Sequence, residues 1–305
     1  MAAMRNGLGG AVGSAPSPAV SGSRAGAART ARPRVKWSLV IALVWVGLVL
    51  LLAIFANLLP LADPGVRVGA ARLMPFHGHS ADFWLGTDTY GRSVLARLVY
   101  GARASLLVAT VSTVLGCVVG GILGLVAGYF RGPFDVVMGF LTDTLLAFPG
   151  LIMLLALAAA IGPGEKTLII GLTLIAIPLV ARVSRANTIR FASREFVETA
   201  QVLGARPGRV LYRELAPNVL PPVLGYSVIV MATLIVAEAA LSFLGVGIRP
   251  PTPSWGVMIA DGQFELYDNP QLVVIPALVL FITVYMLNNI GEWIRGHFDI
   301  SESKI

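Results

Sequence analysis

Of the chain's 305 residues, 56% are hydrophobic and only 13% are charged, against about 25% charged in an ordinary soluble domain. Several apolar runs reach the roughly 20 residues that cross about 30 Å of hydrocarbon as a helix, and none alternates as a barrel strand does, so the chain reads as an all-α membrane protein. One cysteine, Cys117, excludes a disulfide framework, and a net charge of +7 reads as membrane orientation rather than as a nucleic-acid footprint.

Residues 1–36, rich in Gly, Ala, Ser, Pro and Arg and without an acid, read as a disordered basic tail. The run from Trp37 to Leu59 is too long for a signal-peptide core and predicts a first, uncleaved transmembrane helix. With the loop that follows it forms a unit over 37–102. Five further spans are expected within a core over 103–292: 104–129, 136–161, 167–183, 222–246 and 271–290. A short tail, 293–305, closes the chain.

About six spans place both termini on one side. With that side inside, sixteen basic residues fall on the inner segments and seven on the outer ones. The positive-inside rule therefore predicts cytoplasmic termini. The first outer loop opposes the trend, with Arg67, Arg72, Arg92, Arg97 and Arg103.

Between spans four and five lies RANTIRFASREFVETAQVLGARPGRVLYRELAPNVLPP. Phe196, Ala200 and Leu203 follow helical spacing and predict the apolar face of a short helix, with Arg194 and Glu198 paired on the other. Gly204 permits a turn with positive φ. Pro207 suits the start of a second short helix, and Pro217 is expected to end it or to stop it shortly before.

Glu198-Thr199-Ala200, three residues, Gly204, and the close Leu215-Ala216-Pro217 resemble the EAA loop of ABC importer permeases, with Thr199, Glu214 and Ala216 departing from the pattern. Leu85-Gly86-Thr87-Asp88, Gly91-Arg92 and Tyr100-Gly101-Ala102-Arg103-Ala104-Ser105-Leu106-Leu107 look like that family's stretch before span two, with Ser93 for the usual Asp. Glu238-Ala239-Ala240-Leu241-Ser242-Phe243-Leu244-Gly245, then Pro250-Pro251-Thr252-Pro253-Ser254-Trp255-Gly256, look like its EAALSFLG…PPTPSWG signature.

On these motifs the chain resembles the C-type permease subunit of the dipeptide/oligopeptide/nickel ABC importers. The resemblance implies a type I importer permease (MetI-like) fold in the bacterial cytoplasmic membrane. It also implies a homologous B-type permease, two ABC ATPase subunits and an extracytoplasmic substrate-binding protein. Glu198, Ala200, Gly204 and Pro217 would then belong to the ATPase-coupling loop. ATP and Mg would be held by the partner ATPases, and no cofactor or metal by this chain. Gly162-Pro163-Gly164-Glu165-Lys166-Thr167 lacks the Gly-Lys of a Walker A loop, so no ATP hydrolysis is expected here. Cargo is expected to be a di- or oligopeptide, with nickel, haem or another small solute as the alternative. A stand-alone secondary transporter would want an internal repeat that the sequence lacks.

Asp143 and Glu238 stand inside spans, where an acid usually faces a cavity or a partner. Both are candidates for the translocation path. The competing readings are an arginine partner such as Arg103 for Glu238 and solvation at the inner mouth for Asp143. Pro149 and Pro178 are candidate flexing points. Gly116, Gly120, Gly124 and Gly128 recur every fourth residue and predict close helix approach. His77 and His79 alone make a poor metal site.

Overall fold

The computed structural model describes residues 37–302, so the expected basic tail and the last three residues lie outside the described residues. The long helices are α1 (Trp37–Ile54), α2 (Val94–Phe130), α5 (Glu165–Ala192), α8 (Ala216–Phe243) and α10 (Gln271–Glu302). Between them lie the shorter α3 (Gly132–Ala147), α4 (Gly150–Ile161), α6 (Glu195–Val202), α7 (Pro207–Arg209) and α9 (Trp255–Gly262). Apart from two isolated bridges, Arg67 with Arg92 and Thr87 with Ser93, the described residues are helix and loop.

The glycine ladder sets the central contact. Gly120 of α2 lies so close to α5 that an added methyl would meet the Ile177 carbonyl at 2.5 Å, and at Gly128 it would meet Thr188 at 2.7 Å. Gly116 and Gly124 approach Ala176 and Ala181 in the same way. Small residues let two backbones touch where lipid supplies no hydrophobic drive between helices.

The order of these contacts also settles a crossing. Residue numbers rise together along the seam, so α2 and α5 run parallel. The chain between them must therefore return across the bundle, and α3 with α4 is the return. The pair is bent by 86°. The expected third span is thus one broken helix, and it is the sixth crossing beside the five long helices. The break falls at Phe148-Pro149, where Phe148 is extended (ψ 130°). Proline disfavours helical backbone in the residue before it. Pro149 is a break; Pro178 instead stays buried inside a continuous α5.

Three helices outrun their apolar stretch. α2 begins ten residues before the expected span, capped by the Ser93 hydroxyl, which accepts from the Ala96 N–H. Serine and the family's aspartate both suit an N-cap, which accounts for that exchange. At about 55 Å, α2 is far longer than the hydrocarbon is thick. α5 runs nine residues beyond the predicted end because its charges find partners: Arg182 bonds Asp143 at 2.5 Å and Arg185 forms a bidentate pair with Asp135, both acids on α3. α10 continues to Glu302, so most of the expected tail after 292 is helical.

Candidate functional site

One end of the bundle carries α6. There Val197 is fully buried against a core that includes Phe191, Val210 and Leu215. The predicted apolar face points the other way. Phe196 is 39% exposed, Val202 87% and Leu203 81%. Phe196 and Leu203 are therefore not the anchor of this helix; a single valine is, and the apolar side chains face outward. Glu198 is exposed as well, and the described ion pairs do not join it to Arg194.

Gly204 sits at φ +83°. Its N–H donates to the Gln201 carbonyl (2.9 Å) and the Ala205 N–H donates to the Ala200 carbonyl (3.0 Å). This crossed pair closes the helix in the Schellman manner, which needs a left-handed residue at the glycine's place. Ala200 and Gly204 thus act together to stop α6. Pro207 opens α7 as expected. Pro217, however, ends nothing: it occupies the first turn of α8, after a π-helical turn over Val210–Leu215. There the Ala216 N–H reaches back five residues to the Leu211 carbonyl. A π turn offsets the carbonyl ladder, and a proline in a first helical turn forfeits no bond. Helix therefore runs unbroken from Pro207 to Phe243.

The opposite end is a folded layer built from residues 55–93 and 245–270. Asp88 is its centre. Its Oδ1 accepts from the backbone N–H groups of Tyr90 (2.8 Å) and Arg92 (2.9 Å), and its Oδ2 from the guanidinium groups of Arg92 (2.6 Å) and Arg97. Both arginines also reach Asp261 of α9, Arg97 at 2.8 Å. Arg72 pairs with Glu265 at 2.5 Å. Three of the five arginines that opposed the charge bias are thus held in ion pairs. Burial pushes the Asp88 carboxyl up, but the hydrogen bonds from Arg92 and Arg97 and the attraction of both charges outweigh it, leaving the group below the usual carboxylate range. His77 and His79 are exposed, and the described residues hold no group of three metal-ligating side chains.

Glu238 lies just beneath this layer with no exposed surface. It accepts from the Ser242 hydroxyl at 2.7 Å, and its other oxygen has no partner among the described residues. The PPTPSWG segment is docked around it. Ser254 caps α9, the Trp255 indole donates to the Leu98 carbonyl at 3.2 Å, and Gly256 lies against the backbone of Ala239. The two halves of the long signature are one contact, made by α8 and α9 with α2. Glu238 has no ion pair with Arg103, and it lines no cavity in this conformation. Asp143, by contrast, is open, with 69% of its side chain exposed beside Arg182. An apolar groove of about 440 Å³ runs between α2 and α8, with Cys117, Val118 and Leu220 in its wall.

This arrangement is the fold of type I ABC importer permeases. An inward-facing structure of the MetNI methionine ABC transporter matches with a TM-score of 0.57 at 21% identity, over 67% of this chain and 97% of that one. A structure of an amino acid ABC transporter with histidines matches at 0.53 and 15% identity, over 67% and 94%. Residues 120–301 match the model of the family described as binding-protein-dependent transport system inner membrane component. The dipeptide transport system permease protein DppC of Alkalihalophilus pseudofirmus is 32% identical over 85% of this chain and 84% of its own. A glutathione transport system permease protein, GsiD, of Pectobacterium atrosepticum is 32% identical over 81% and 86%. A putative peptide transport system permease protein of Brucella suis is 35% identical over 83% and 86%. The chain belongs to the binding-protein-dependent transport system inner membrane component family and is a multi-pass membrane permease.

Proposed function

We propose that this permease moves small peptides into the cell, driven by ATP hydrolysis on separate subunits that meet it through α6. The outward-turned Phe196, Val202 and Leu203 carry this reading: a short helix held by one buried valine presents its apolar side chains away from the bundle, as a helix does that seats in a partner's groove. Glu198 lies on the same short helix, Ala200 and Gly204 hold its end, and Pro217 sits where the loop passes into α8. ATP and Mg belong to the partner subunits. Peptide cargo is supported by the relatives, among them a dipeptide transport permease and a putative peptide transport permease.

A homologous B-type permease is the partner we assign to the apolar groove between α2 and α8, and an extracytoplasmic binding protein the partner of the folded outer layer. The α6 end is the cytoplasmic one in this reading, which also places Trp37 and Glu302 inside. Of the two acids named for the path, Asp143 is open at the inner end. Glu238 joins the path only in a state that lifts α9 from α2.

The test is purification of the chain with its membrane partners, followed by reconstitution with the binding protein. ATPase subunits should co-purify, and peptide uptake should require ATP. Gly204→Val, which forces a β-branched residue into the left-handed region, should abolish uptake while the helices remain inserted. Full ATP-driven uptake by that variant would sink the coupling role.

A further inference from the structure

A second cavity, about 390 Å³, opens at the end of the bundle opposite α6. It is lined by Asp63 and Gly65 after α1, Tyr100 and Arg103 of α2, Glu165 at the start of α5, and the Pro251–Pro253 segment. Its size falls in the range of small-molecule sites, about 300–1,000 Å³. Its charges set it apart. Arg72, Arg92 and Arg97 in the same outer layer are all engaged by acids. Arg103 is in no ion pair among the described residues, although Asp63 and Glu165 line the same cavity. Opposite charges are held around one space without closing on each other.

We propose that this cavity is an entry subsite for the charged ends of a zwitterionic peptide, an assignment that rests on the peptide reading above. The Arg103 guanidinium takes the terminal carboxylate, for which its fork of N–H donors is suited. Glu165 and Asp63 take the terminal ammonium. Pro251 and Pro253 lack N–H groups and offer carbonyl oxygens that accept from peptide N–H groups, while Thr252 between them adds an N–H and a hydroxyl. Tyr100 and Leu107 give the side chains an apolar surface that does not select among them. Such a site reads what all peptides share and ignores what distinguishes them.

The experiment uses the complete transporter in proteoliposomes with its binding protein and a labelled pool of di- to pentapeptides. Arg103→Gln and Glu165→Gln should each lower the maximal uptake rate about tenfold or more, the scale of one lost charge-assisted contact. Arg103→Lys should keep most of the rate. Subunit composition and ATP hydrolysis stimulated by the loaded binding protein should stay as in the wild type. Unchanged uptake by both glutamine variants overturns the subsite. So does recovery of uptake in the double reversal R103E/E165R, which would make the two residues a gate pair for each other, and so does a parallel loss of stimulated ATP hydrolysis. Absence of peptide uptake by the wild-type complex overturns the peptide reading itself, and this assignment with it.

Discussion

Asp88→Asn would leave the Arg97 guanidinium, 2% exposed, with Asp261 as its remaining acid. Leaving a buried charge uncompensated costs about 3–5 kcal/mol, and because Asp261 still pairs with Arg97 the loss should be a fraction of that. The expected outcome is a lowered unfolding midpoint in detergent; Arg72→Gln, which breaks an exposed pair, should change it little. The pH dependence follows from the same carboxyl. Its folded value is depressed, so its contribution is complete above the unfolded value of about 3.9 and is lost as pH falls through the folded one. Protection factors over residues 84–93, taken against the intrinsic exchange rate at each pH, should therefore stay flat from about pH 8 to pH 5 and fall only below about pH 4. At this scale the sequence motif contained Asp88 and Arg92 but did not reveal the ion-pair cluster they form. Asp261 lies 164 positions from Arg97 along the chain, and no local spacing brings them together.

Among the elements, a face of α2 suited to close helix approach was legible in advance, because a glycine recurs at every fourth position; that α5 is the partner came from the structure. Gly124→Leu should push the two helices apart at Ser184, where even a methyl would stand 2.6 Å from the Ser184 Cβ. Overpacking of this kind costs about 1–3 kcal/mol. We expect a loss of assembled complex on size-exclusion chromatography, with Gly47→Leu on α1, where an added side chain meets no neighbour within 4 Å, as the silent control. The ends of α2, α5 and α10 were not legible. Hydropathy stops where charges begin, whereas a helix stops where its backbone bonds stop, and Arg182 and Arg185 are carried within α5 by acids on α3. The face of α6 was misjudged for a related reason. Periodicity finds an apolar stripe but does not say whether the stripe is buried at home or offered to a partner.

At the scale of the whole molecule, the parallel run of α2 and α5 makes the bent pair a crossing, and both ends of the described chain then fall on the α6 side. Single cysteines test this in a Cys117→Ser background. Gln201→Cys should react with a membrane-impermeant maleimide only in inside-out vesicles, and Tyr267→Cys, fully exposed in the outer layer, only in right-side-out ones. The reverse pattern would invert the orientation and remove α6 from any cytoplasmic motor.

The amino-acid sequence by itself determined the medium, the number of crossings and the turn at Gly204, since apolar run length and a left-handed backbone are properties of consecutive residues. The tertiary structure alone decided that α3 and α4 form one broken span, that α6 turns Phe196 and Leu203 outward, and that Glu238 is enclosed by α9. Each of those depends on which distant segment lies alongside, and the residues of one helix read alone do not say which segment that is.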